Sequence, residues 1–145
     1  MFLSHRSAII LSIAVACGWL SVSCTDNRIS ECNQIVNVAN QTVTEAKGLT
    51  PKSLASNPEA ILKVANAMDK AAQVMEALEV RDAQIKKYQV GLVGMYRDTS
   101  KATKDFVGAF KQRNRPAAET ALRSLKQATV DEPELVAGIK NYCKP

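Results

Sequence analysis

The chain reads as an all-α protein, an antiparallel four-helix bundle whose last layer is broken into two short helices, preceded by a signal peptide. Three observations predict this. Apolar residues recur at spacings of three and four along most of the chain, whereas the period-two runs that mark half-buried strands are absent. Asn57-Pro58, Asn114-Arg115-Pro116 and Asp131-Glu132-Pro133 divide the pattern into segments of helix length. Two cysteines, Cys32 and Cys143, stand near the two ends of the helical region, and a bundle with an even number of long layers returns them to the same end.

The leader comes first. Arg6 is its one fixed charge, Ala8 to Leu20 are almost wholly apolar, and Ser21-Val22-Ser23 supply small residues before Cys24. That order is the one of a secretory signal, and the apolar run is shorter than the roughly 20 residues a spanning helix needs. Residues 1–23 are therefore read as a signal peptide and 24–145 as one helical-bundle domain. Cys24 resembles the lipidated cysteine of a bacterial lipoprotein signal, with Leu20 four positions before it instead of three. Cys17, after Ala14-Val15-Ala16, is a second acceptor, and ordinary cleavage before Cys24 or a retained anchor stay open. The expected setting is extracytoplasmic, periplasm or lumen, where a lipid anchor would tie the domain to a membrane.

The first helix is expected from Ile29 to Lys47, with Cys32, Ile35, Val36, Ala39, Val43 and Ala46 on one face and Gly48 as its stop. Thr50-Pro51 begins a connection. Asn57 then caps the second helix, Pro58 suits the first helical position because its missing N–H has no partner there, and Glu59 complements the dipole. Ile61, Ala65, Met68, Ala72 and Met75 give this helix a narrow face rich in small residues, which favours close packing. No Gly or Pro ends it, so the break is inferred at Glu79-Val80-Arg81-Asp82, with Asp82 as the next N-cap. One unbroken helix from 58 to 112 would be about 80 Å long at 1.5 Å per residue, too long for a domain of this size to bury.

The third helix carries Ile85, Tyr88, Leu92, Met95, Thr99, Ala102, Phe106 and Ala109 in strict alternation, flanked by Tyr96, Thr103, Val107 and Phe110. Most of the aromatic mass lies here, so this is the expected central helix. Ala118, Leu122, Leu125 and Ala128 repeat after Asn114-Arg115-Pro116, and Leu135, Val136, Ile139 and Tyr142 form the last short helix. Counting the last two as one broken layer gives four layers and brings Cys143 to Cys32. Lacking a Cys-x-x-Cys spacing, the pair reads as a structural staple, worth about 4 to 5 kcal/mol in the chain-entropy treatment.

The residues exclude much chemistry. The single histidine, His5, lies in the leader, so the remaining domain has none for a haem, a di-iron site or a histidine-assisted nucleophile. Met68, Met75 and Met95 sit at core positions and read as packing. Asp98 and Asp105, Glu76 and Glu79, and Asp131, Glu132 and Glu134 read as solvated surface and dipole partners, not as acid–base pairs. No catalytic, cofactor-binding or metal-binding residues are assigned, no cofactor is expected, and the chain is not expected to be an enzyme. Without the leader the formal charge is +4, from 18 basic and 14 acidic side chains. It is spread along the chain, which with export disfavours nucleic acid as a partner.

Two features of the third helix suggest a docking face. Lys86, Arg97, Lys101, Lys104 and Lys111 fall along one edge and would meet anionic headgroups or an acidic subunit. Gly91 and Gly94 fall off the apolar stripe, where each costs about 1 kcal/mol relative to Ala unless something packs closely there. The segments Cys32-Asn33-Gln34-Ile35-Val36, Met95 to Thr103 and Asn141-Tyr142-Cys143 resemble small exported helical-bundle proteins of cyanobacterial type with no assigned activity. That resemblance implies an extracytoplasmic bundle and nothing catalytic. The function expected is non-catalytic: binding or supporting a membrane-associated partner or the membrane surface. The alternative is a carrier of a small apolar ligand, with its pocket between the second and third helices.

Overall fold

The computed structural model describes residues 22–47 and 57–144. Helix α1 spans Val22–Lys47, α2 Pro58–Glu76, α3 Ala83–Lys111, α4 Arg115–Ala128 and α5 Glu132–Tyr142. No strand occurs among the described residues. The four packed layers are α1, α2, α3 and the broken pair α4 and α5, as the apolar spacing predicts. Residues 1–21 of the expected leader, the Gly48 stop and the connection at Thr50-Pro51 lie outside the described residues. Helix α1 begins at Val22 and not at Ile29, so Ser23 and Cys24 are helical. No Gly or Pro between Val22 and Ile29 stops the helix short.

The caps predicted at Asn57 and Asp82 hold, and the structure adds a third at Asn114. Asn57 accepts the Glu59 N–H, and Asp82 accepts those of Gln84 and Ile85. Asn114 accepts that of Ala117. Two helix ends are made by residues that carry no stop signal of their own. Helix α2 ends where Gln89, 1% exposed on α3, reaches across so that its Nε2 donates to the carbonyls of Met75 at 2.5 Å and Leu78 at 3.0 Å. Helix α3 ends in a Schellman turn, in which the Asn114 N–H reaches the Ala109 carbonyl and the Arg113 N–H that of Phe110. The left-handed residue there is Arg113, φ 54°, and not a glycine.

Helix α3 is the hub, touching all four other helices. Its contact with α2 is the most extensive, because Ala65, Ala71 and Ala72 are small enough to let the two backbones close together around Met75, Ile85, Leu92 and Val93. Four expected apolar positions are instead exposed, Val136 of α5 among them. Val43 is 47% exposed while its neighbour Thr42 is buried, and Phe110 is 61% exposed at the far end of α3, close to the Phe106 ring. Leu122 is 47% exposed, because α4 packs chiefly on α3 and the face it turns inward is centred on Ala121.

One end of the bundle is tied by sulfur and by a polar network. Cys32 and Cys143 are bonded, closing 111 residues of sequence. Next to Cys32 in sequence, the buried Glu31 carboxylate accepts the backbone N–H groups of Arg81 and Asp82, both at 3.1 Å, holding α1 to the α2–α3 turn. The Tyr142 hydroxyl donates to Asp82 at 2.9 Å, its ring lies under the Arg28 guanidinium, and Tyr88 packs beside it. The N–H groups of Ile85 and Gln84 and the Tyr142 hydroxyl hold the Asp82 carboxyl below its ordinary range, against a smaller opposing effect of burial.

Replacing Cys32 and Cys143 together by Ala should lower the unfolding free energy by about 2 to 5 kcal/mol, read as an earlier urea midpoint for the variant than for the oxidised protein. Asp82 gives a pH signature. Its folded value is depressed, so its stabilisation is complete above the unfolded value, about 4, and is lost as the pH falls through the folded one. Asp82→Asn keeps a capping oxygen and should flatten the fall in melting temperature between about pH 5 and pH 2. Asp82→Ala should also remove the cap, costing about 1 kcal/mol at neutral pH.

Candidate functional site

An apolar groove opens between α1 and α5, over a floor made by Met68 of α2 and by Leu92, Met95 and Tyr96 of α3. Helix α5 presses against α3 at two glycines: a Cβ on Gly91 would fall 2.7 Å from Leu135 Cδ2, and one on Gly138 would fall 2.7 Å from Tyr88 Cε1. Helix α1 rests mainly on α2. The two outer helices are thus drawn toward different neighbours, meeting at the disulfide and sharing few other contacts. The break before α5 enforces the separation. Pro133 has no N–H to continue α4, and the Thr129 hydroxyl occupies the carbonyls of Leu125 and Lys126.

The groove so formed has a volume of about 540 Å³, within the range of roughly 300 to 1,000 Å³ typical of small-molecule sites. Val36, Ala39 and Val43 form one wall and Val136 and Ile139 the other, over a floor of Met68, Leu92, Met95 and Tyr96. Val43 and Val136, about half exposed, are its lips. The α1 wall from Ile35 to Val43 is about 12 Å long at 1.5 Å per residue, so the site suits a narrow molecule.

Polar side chains in the groove are few, and those of Thr42 and Thr129 bond to carbonyls of their own helices. The Thr42 hydroxyl donates to the Val38 carbonyl at 2.8 Å. Burial pushes the Tyr96 phenol up and the Glu132 carboxylate adds to this, against a hydrogen bond with Thr42. Thr99 is different. It is 6% exposed, lines the groove, and its Oγ1 has no hydrogen-bond partner. Glu132 and Lys140 stand on the α5 rim, two turns apart.

The structure places the expected docking residues against other parts of the same chain. Arg97 pairs with Glu76 at 2.5 Å, Lys111 with Glu59 at 2.6 Å and Lys104 with Asp69, all on α2, while Lys101 pairs with Asp105 one turn along α3 at 2.6 Å. Lys104 also holds the Asp69 carboxyl below its ordinary range, with a smaller contribution from Ser100. Of the five basic residues, Lys86 is the one with no ion pair among the described residues. The basic edge is therefore largely the α2–α3 seam and not a free cationic stripe. Close packing at Gly91 does occur, but Leu135 of the same chain supplies it. Gly94 has open space around it, with nothing within 4 Å of a built Cβ.

Spacing alone did not reveal the groove. The signals that pointed to it were Thr99 on an otherwise apolar stripe and Gly138 in the last helix, and each acquires meaning only from the helix that packs opposite. No protein-family model matches the chain, and no curated protein or solved structure matches it. Among the described residues, no helix is long and apolar enough to cross a membrane.

The glycines separate in a direct test. Gly94→Ala should raise the unfolding free energy by about 0.5 to 1 kcal/mol, since it adds helix propensity without a clash. Gly138→Ala should lower it by about 1 to 3 kcal/mol by displacing Tyr88. Chemical denaturation of the two variants beside the parent reads both signs.

Proposed function

We propose that this chain is a non-catalytic extracytoplasmic helical-bundle protein that binds a slender apolar molecule in the groove between α1 and α5. The observation that carries the reading is the groove itself: apolar walls, exposed valine lips, and an opening that the packing of α5 on α3 maintains. A soluble domain gains by closing such a seam, at about 25 cal/mol per Å² of apolar surface removed from water, so an open one calls for an occupant. The export reading rests on the leader, on Cys24 as an anchor or a cleavage point, and on a disulfide that suits an oxidising compartment. The absence of histidine after His5 and the ion-paired carboxylates Glu59, Asp69, Glu76 and Asp105 support a binding role over catalysis. A membrane-associated partner fits the reading as the source or receiver of the apolar molecule. It draws less support from the basic edge, most of whose charges are already paired.

The test uses the neutral apolar fluorophore N-phenyl-1-naphthylamine. Titration should give a saturable, blue-shifted signal at one site per chain. Ala39→Phe, which fills the groove, should weaken binding at least tenfold with the helical circular dichroism unchanged, whereas Val90→Asp, outside the groove, should not. A signal that does not saturate, or that Ala39→Phe leaves intact, would overturn the reading.

A further inference from the structure

Resting on the groove as a binding site, we infer that its occupancy is coupled to the Cys32–Cys143 disulfide: the oxidised clamp holds the binding form, and reduction by a dithiol loosens it. The two cysteines belong to the two helices that wall the groove, Cys32 to α1 and Cys143 to the end of α5. Ile35, three residues after Cys32, and Ile139, whose carbonyl accepts the Cys143 N–H at 2.9 Å, are both buried and both line the groove. The bond therefore lies one helical turn from a lining residue on each wall. Beyond it α1 rests mainly on α2 and α5 on α3, so the disulfide is the covalent tie between walls that otherwise barely meet.

Reduction acts on the wall and spares the bundle. When a dithiol breaks the bond, its two thiols become a disulfide and Cys32 and Cys143 become thiols, two electrons and two protons passing to the protein. The polar ties that remain hold each wall to the α2–α3 turn: Glu31 accepts the N–H groups of Arg81 and Asp82, and Tyr142 donates to Asp82. Helix α5, with 11 residues, is shorter than the roughly 12 to 15 at which an isolated helix is even marginal, so it depends on its contacts. Without the bond, Val136 and Ile139 are no longer fixed opposite Val36, Ala39 and Val43. A ligand that needs both walls then binds only the fraction of chains in which both are in place, and its apparent affinity falls by that fraction. The coupling is reciprocal: a ligand in the groove makes the disulfide harder to reduce to the same extent.

Titration of N-phenyl-1-naphthylamine into the oxidised protein and into protein reduced with dithiothreitol tests this. Reduction should weaken probe binding at least about fivefold with the helical circular dichroism unchanged, and reoxidation should restore it. Cys32→Ser combined with Cys143→Ser should bind as weakly as the reduced protein and show no response to dithiothreitol. Saturating probe should lower the midpoint potential of the disulfide in a dithiothreitol redox buffer by at least about 20 mV, the fivefold ratio converted at about 30 mV per tenfold for two electrons. Equal affinities in the two states, a midpoint that the probe leaves unmoved, or loss of the helical signal on reduction would overturn the inference while binding to the oxidised protein still upheld the groove. Failure of the oxidised protein to bind the probe would instead remove the site on which both depend.

Discussion

The clamp at one end of the bundle is the constraint on which the rest of the structure depends. Cys32–Cys143 joins the first and last layers, Glu31 holds α1 to the α2–α3 turn, and Asp82 both caps α3 and accepts the Tyr142 hydroxyl. Every layer is gripped there within a few residues. Each polar group in the network also satisfies a backbone or side-chain partner that would otherwise be buried unpaired, so removing one member exposes the cost of another. Away from this end the layers answer to their individual neighbours, and the bundle is not closed evenly around its circumference.

That unevenness has a consistent origin. Helices α2 and α3 join through alanines at the centre and ion pairs along the edge, Glu59–Lys111, Asp69–Lys104 and Glu76–Arg97. All six side chains are more than a third exposed, so each pair contributes little stability individually. Their larger effect is on register, because three complementary pairs at successive heights admit one alignment of the two helices. Helix α5 is drawn to α3 by Gly91 and Gly138, and α1 is drawn to α2. The opening between α1 and α5 follows from these preferences, without requiring any special residue on α1 itself.

Within the core, polar side chains do two different jobs. Gln89 uses its amide to finish α2, supplying through space the stop that the α2 sequence lacks. The buried hydroxyls of Thr99 and Ser100 fill space in the core without a hydrogen-bond partner.

The sequence by itself determined the helix count, the caps at Asn57 and Asp82, the break at Asn114-Arg115-Pro116, the broken last layer and the pairing of Cys32 with Cys143. These are legible because capping and apolar spacing act within a turn or two, and because an even layer count fixes which ends meet. It did not show the groove between α1 and α5, nor that four of the five α3 cations would be ion-paired. Both have one physical cause. A single helix shows which of its faces is apolar, charged or small, but not which neighbour each face will meet. Only the tertiary structure brought Leu135 to Gly91, Tyr88 to Gly138 and the α2 carboxylates to the α3 cations, because those contacts join residues up to about fifty positions apart.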